Sequence, residues 1–159
     1  MGSNSLLLWP ILLGVIASGD GNDSATKRNI INFGLLVYKF TERNPIDFNG
    51  YGCFCGLGGK GKPVDDLDRC CEAHDNCYSK IMHSEDCPYE KAVYLMSYSV
   101  TKDDEKTECE PASSYFIYGK CRNLVCKCDL IAARCFAKSP YQKKYKNHPQ
   151  EKCVEAEGR

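Results

Sequence analysis

The chain has 159 residues, 12 of them cysteine, with 21 basic and 21 acidic side chains and a formal net charge of zero. That length holds one domain and hardly a second, and the balanced charge removes the long-range attraction on which nucleic-acid binding depends. So many thiols, in an even number, exclude an ordinary cytosolic chain and point to disulfide pairing in an oxidising compartment. Zinc is the competing explanation, but Cys53/Cys55, Cys70/Cys71 and Cys126/Cys128 lack the spacing of a Cys-x-x-Cys knuckle.

Leu6 to Ile16 is an apolar run of signal-peptide length, followed by the small residues Ala17, Ser18 and Gly19, where a signal peptidase would be expected to cut. The run is too short to span a bilayer. No Lys or Arg precedes it, which keeps a buried N-terminal helix open as the alternative. Asp20 to Arg28 is polar and ends in Lys27-Arg28, which reads as a propeptide closed by a dibasic processing site. The expected organisation is a signal peptide over 1–19, a propeptide over 20–28 and a single domain over 29–159. Loss of residues 1–28 takes two basic and two acidic side chains and leaves 19 of each. The one allowed N-glycosylation sequon, Asn22-Asp23-Ser24, would leave with the propeptide.

Within the domain, Ile30, Phe33, Leu36 and Val37 recur at helical spacing, which predicts a short amphipathic helix over Asn29 to Phe40. Asn44-Pro45 breaks the pattern, and Tyr51 to Gly61 holds five glycines in eleven residues, so this stretch is a loop with unusual backbone angles. Pro63 suits the first turn of a helix, and Val64 to Met82 carries Leu67, Cys70, Cys71, His74, Cys77, Tyr78 and Ile81 along one side. Cys109 to Tyr118 is turn-rich with β-formers at its end and predicts a small two-stranded wing. From Gly119 to Ala137, Cys121, Val125, Cys128, Ala132 and Cys135 repeat by four and three, which predicts a second long helix. The Lys-rich tail (Lys138, Lys143, Lys144, Lys146, Lys152) favours anionic surfaces or simply makes a solvated face.

Cys70 and Cys77 lie seven residues apart on one long helix, as do Cys128 and Cys135 on the other. If the helices run antiparallel, Cys70 to Cys135 and Cys77 to Cys128 close a ladder whose rungs stand about 10.5 Å apart on both sides. Twelve cysteines allow about 10,000 complete connectivities, so other pairings stay open at this point. His74 then falls between the rungs facing the partner helix, and Asp129, directly after Cys128, brings a carboxylate close to it. Such a pair serves a general base, the carboxylate fixing the ring tautomer. A hydrogen-bonded core histidine is the plainer reading. Asp75 points toward the glycine loop, where carbonyl oxygens and one carboxylate would suit a hard cation such as calcium; the plainer reading has Asp75 satisfying loop amides.

The stretch YGCFCGLGGKGKPVDDLDRCCEAHDNCY, Tyr51 to Tyr78, resembles the calcium loop and catalytic helix of secreted phospholipases A2, and CKCDLIAARCF, Cys126 to Phe136, resembles the second catalytic helix of that family. The resemblance runs from Asn29 to Cys153. It implies a mainly α fold: two long antiparallel disulfide-linked helices with an N-terminal helix, a calcium-binding loop and a small two-stranded β-wing. The activity it implies is calcium-dependent hydrolysis of the sn-2 ester of glycerophospholipids to a free fatty acid and a lysophospholipid. His74 would be the base that takes a proton from water, with Asp129 orienting it and Tyr78 and Tyr98 hydrogen-bonding to Asp129. Ca2+ would be held by the carboxylate of Asp75 and the carbonyls of Phe54, Gly56 and Gly58, with the Gly56 amide helping at the oxyanion. The implied disulfides are Cys53–Cys153, Cys55–Cys71, Cys70–Cys135, Cys77–Cys128, Cys87–Cys121 and Cys109–Cys126. The implied partner is a phospholipid membrane or micelle surface, met by a secreted, extracellular monomer that binds no nucleic acid.

Substrate would enter along the N-terminal helix, Ile30 and Phe33 lining an apolar channel with Leu36 and Val37 beneath; plain core packing fits Val37 as well. Trp9 is the only tryptophan and would leave with the signal peptide, which predicts modest activity on neutral phosphatidylcholine bilayers compared with anionic lipid or micelles. Three departures from the family stand out: no cysteine near Lys39 or Lys102 for a bridge from the N-terminal helix, a longer Cys109 to Cys121 segment, and Phe54 where Tyr is commoner. Two rivals stay open, a non-enzymatic toxin or receptor ligand on the same scaffold and a disulfide-rich inhibitor or growth-factor-like module.

Overall fold

The computed structural model describes residues 21–101 and 106–154, with side chains from Asn29 onward. The expected leader over 1–19 and the neighbourhood of Lys102 lie outside the described residues. Helix α1 spans Gly21–Thr41, α2 spans Asp66–Met82 and α3 spans Gly119–Lys138, linked by short 3-10 turns. No helix among the described residues is long and apolar enough to cross a membrane.

Helix α1 buries Asn29, Leu36 and Val37, with Phe33 and Phe40 packed partly against the core. These positions recur by three and four, so one stripe faces inward while Ile30, Ile31, Leu35 and Tyr38 stay exposed. Glu42 takes a left-handed backbone (φ 55°), and its amide bonds back to the Tyr38 carbonyl at 2.8 Å, closing the helix. The helix begins at Gly21, earlier than the predicted Asn29. Residues 21–28 (GNDSATKR) are polar but contain no proline, so nothing in them breaks a helix already nucleated downstream.

Helix α2 starts after Asp65, whose Oδ1 accepts the Asp68 amide at 2.9 Å. This aspartate cap, rather than Pro63, sets the first turn. Helix α3 starts at Gly119, where a side-chain carbon would fall 2.0 Å from the Ala112 carbonyl oxygen, so only glycine fits. The two helices run antiparallel, because Cys70 near the start of α2 pairs with Cys135 near the end of α3 while Cys77 pairs with Cys128. Both rungs span 5.8 Å between Cα atoms, within the ordinary range, so neither forces the helices apart.

The remaining bridges are Cys53–Cys153, Cys55–Cys71, Cys87–Cys121 and Cys109–Cys126. All six are those the resemblance implies, and among the described residues no cysteine is free. The wing lies elsewhere than predicted. Among the described residues it is a single antiparallel bridge between Val100 and Cys109, held by Thr101 N–H to Glu108 O at 2.8 Å and Glu110 N–H to Ser99 O at 3.1 Å. Tyr115, counted as a β-former, instead accepts the Ser99 amide on its hydroxyl at 2.8 Å, and Ala112–Ser114 is a 3-10 turn.

Where α1, α2 and α3 meet, Leu36, Val37, Leu67, Val125, Ala133 and Phe136 form the centre of the core. Each large apolar side chain buried there contributes about 1.5–3 kcal/mol. The tail returns to the glycine loop: the Tyr51 hydroxyl donates to Asp65 at 2.5 Å and accepts the Gln142 amide at 3.2 Å. Lys146, read from sequence as part of a solvated face, instead pairs with Asp47 at 2.5 Å.

Candidate active site

His74 sits midway between the rungs, because α2 carries it four residues after Cys70 and three before Cys77. Its Nε2 lies 2.7 Å from Asp129 Oδ1. Asp129 is fully buried and accepts further bonds, from the Tyr78 hydroxyl to Oδ1 at 2.8 Å and from the Tyr98 hydroxyl to Oδ2 at 2.6 Å. Three donors on one carboxylate offset the cost of burying it. Burial, and then the Asp129 charge, pushes both phenols well above their ordinary value. They therefore stay protonated and keep donating.

Phe33 of α1 covers the imidazole, its ring centroid 4.6 Å from that of His74 and the planes 16° apart. Tyr78 closes another side at 4.5 Å. His74 Nδ1 makes no hydrogen bond among the described residues, and no fully buried side-chain nitrogen or oxygen there lacks a partner. Nδ1 therefore opens to solvent. An imidazole anchored through Nε2 and open at Nδ1 has the geometry of a base that takes a proton from an incoming water.

The glycine loop turns through left-handed backbone at Gly52 (φ 60°), Gly58 (φ 79°) and Gly61 (φ 80°). It folds back on α2 so closely that a side-chain carbon on Gly59 would lie 2.7 Å from the Phe54 Cα and 3.0 Å from Asp75 Oδ2. The Phe54–Gly59 part of the loop and the Asp75 carboxylate are thus in contact, and Gly56 and Gly58 belong to the same turn. Asp75 makes no hydrogen bond with any described residue, although burial pushes its carboxyl up to about 6, with His74 opposing and Asp68 adding to the effect. A half-buried carboxylate without a donor, against the glycine loop, fits a hard oxygen-seeking cation. The one other group with ligand-type atoms close together among the described residues is Cys53, His148 and Cys153, and its two sulfurs are spent on one disulfide.

Sequence reasoning singled out neither Asn29 nor Asp68 as a site residue. The Asn29 amide is buried and donates to the Val93 and Met96 carbonyls at 3.1 and 3.0 Å, while its oxygen faces the Tyr78 hydroxyl at 3.3 Å. Asp68 accepts three backbone amides of the glycine loop and its exit. A signal for Asp68 did exist: it stands three residues after a capping aspartate and seven before Asp75, two turns away on the same face. Tyr94 also reaches the site, its ring 5.7 Å from that of Tyr78.

The frame is a small helical one, cross-braced by disulfides, that holds a histidine–aspartate pair beside an oxygen-rich loop. A family model described as Phospholipase A2 matches residues 30–146. The chain is 41% identical over 133 residues to a phospholipase A2 of Calliactis polypus, covering 84% of this chain and 77% of that protein. It is 37% identical over 146 residues to a phospholipase A2 of Bos taurus, covering 90% and 97% respectively. With a phospholipase A2 of Oryctolagus cuniculus it shares 43% identity over 139 residues, covering 86% and 93%. The chain belongs to the phospholipase A2 family.

Proposed function

We propose that this chain is a secreted, calcium-dependent phospholipase A2 that hydrolyses the sn-2 ester of glycerophospholipids at a membrane or micelle surface, acting as a monomer. The observation that carries the reading is the His74–Asp129 pair at 2.7 Å, with the other imidazole nitrogen free of any hydrogen bond among the described residues and the neighbouring Asp75 carboxylate set against the glycine loop. His74 takes a proton from water as that water attacks the ester carbonyl, so no acyl-enzyme forms. Asp129 keeps the ring in one tautomer and balances the imidazolium, and Tyr78 and Tyr98 hold Asp129 in place. His74 then passes the proton to the departing alkoxide, releasing lysophospholipid. The Asp75 carboxylate and the Phe54, Gly56 and Gly58 carbonyls would hold calcium, which when bound would supply Lewis-acid polarisation of the ester oxygen. The Gly56 amide, in the same loop, would donate to the developing oxyanion.

We further propose that residues 1–19 are a signal peptide, that 20–28 are a propeptide removed after Lys27-Arg28, and that 29–159 is the working domain; six disulfides support an extracellular destination. The test is fatty-acid release from mixed-micelle phospholipid with calcium, with a chelator, and with a His74→Gln variant. Release that needs both calcium and His74 is expected. Release that persists in the chelator, or in the variant, refutes the mechanism.

A further inference from the structure

We propose that Asp68 is a positioning residue for the cation loop and sets the calcium affinity of the site, an inference that rests on the calcium reading above. Asp68 is fully buried in the first turn of α2. Its Oδ2 accepts the amides of Cys53 at 2.8 Å and Val64 at 2.9 Å, and its Oδ1 accepts the amide of Phe54 at 2.8 Å. Cys53 and Phe54 open the loop and Val64 closes it, so one carboxylate ties together both ends of the segment that presents the carbonyls. Bonds from amides to an ionised carboxylate are about twice as strong as neutral ones; two of the three fix the backbone just before the Phe54 carbonyl, and the third fixes the exit at Val64.

The carboxylate is itself held in place. Asp65 Oδ1 accepts the Asp68 amide at 2.9 Å, and the Cys55–Cys71 disulfide anchors the loop to the same helix with Cα atoms 5.1 Å apart. Gly52 completes the fit: at φ 60°, a side-chain carbon on it would fall 2.3–2.5 Å from all three carboxyl atoms of Asp68. Only glycine lets the backbone lie against the carboxylate. Asp68 also stands two turns from Asp75 on one face of α2, and its negative charge adds to the potential that draws a cation in. It touches neither the ion nor the substrate on this reading; it acts through the loop.

The test measures calcium binding by calorimetry, without lipid, for the disulfide-bonded protein and for Asp68→Asn, alongside turnover at saturating calcium. Asp66→Asn is the control, since Asp66 carries the same charge on the same turn but is exposed and pairs with Arg69. The expected result is a calcium Kd raised about tenfold or more in Asp68→Asn, unchanged in Asp66→Asn, with turnover at saturating calcium nearly intact. An Asp68→Asn Kd equal to that of the control overturns the proposal, as does lost turnover at saturating calcium with the Kd preserved. Unchanged protein that binds no calcium overturns the calcium reading itself, a separate outcome visible before any variant is made. If Asp68→Asn does not fold, amide hydrogen exchange of the unchanged protein in chelator decides: Cys53, Phe54 and Val64 should exchange far more slowly than Leu57 and Gly58. Equal rates refute the anchoring.

Discussion

Phe33 and His74 form a stacked pair across two helices, with ring centroids 4.6 Å apart and planes 16° from parallel. Phe33 itself lies one turn after Asn29, whose amide ties α1 to the Val93 and Met96 carbonyls. The position of α1 is thus coupled to the face of the imidazole. An aromatic pair of this kind is worth about 0.5–1.5 kcal/mol beyond its buried area. Phe33→Ala is expected to lower kcat on dispersed short-chain phospholipid by up to about tenfold with the calcium Kd unchanged. A kcat equal to that of the unchanged enzyme would show that the stack does not orient the ring.

The two tyrosines on Asp129 are not equivalent. Oδ1 has both His74 and Tyr78 as partners, whereas Oδ2 has only Tyr98 among the described residues. Tyr98→Phe therefore strips one oxygen of a buried carboxylate, a loss of about 1–3 kcal/mol. Tyr78→Phe leaves Oδ1 with the histidine and strips only the neutral Asn29 oxygen, held at a longer 3.3 Å. In chemical denaturation Tyr98→Phe should be the less stable of the two single variants; the reverse order would contradict the hydrogen-bond assignment.

Calcium-free protein should show a distinctive pH response. Burial raises the Asp75 carboxyl from 3.8 to about 6 in the folded state. Between those values the folded form keeps a proton that the unfolded form has released, so this group's contribution to stability falls as pH rises through the window. Melting temperatures in chelator, compared between the unchanged protein and Asp75→Asn, should show that slope only where Asp75 is present. Calcium affinity should move the other way, falling as the pH drops through about 6, because a protonated carboxyl is a poor ligand.

Leu57, in the middle of the glycine loop, is 96% exposed, and Ile30 and Ile31 on α1 are 64% and 56% exposed. Burying one leucine in a lipid surface is worth about 1.5–3 kcal/mol. Leu57→Asp should lower the rate on phosphatidylcholine vesicles at least about tenfold, and leave the rate on dispersed short-chain substrate nearly unchanged. Equal losses on both substrates would place Leu57 in the catalytic machinery instead of at the lipid contact.

Much of the site was legible because cysteine spacing is rigid information. Two intervals of seven residues set the register of α2 against α3, and that register brings His74 and Asp129 to within 2.7 Å. The glycines likewise marked the loop, since Gly52, Gly58 and Gly61 adopt backbone that other residues avoid. What stayed hidden depends on partners far off in sequence. Asn29 reads as an ordinary polar residue until the Val93 and Met96 carbonyls, 64 and 67 positions away, claim its amide. The β-formers after Cys109 suggested pairing, but Tyr115 engages Ser99 through its hydroxyl, a side-chain choice that propensity does not encode.

An enzyme that works on lipid stands among molecules that dissolve the cores of other proteins. Amphiphiles compete for apolar side chains, so packing alone is a poor guarantee of alignment in such surroundings. The rungs at Cys70–Cys135 and Cys77–Cys128 remove that dependence, because they flank His74 on one helix and reach Asp129 on the other. Sliding α2 by a single turn would move the imidazole about 5.4 Å, and neither crossbar allows it. Swelling of the surrounding core can loosen Leu36 or Phe136 while the His74–Asp129 geometry stays locked, which suits a catalyst whose substrate is itself a solvent for hydrophobic interiors.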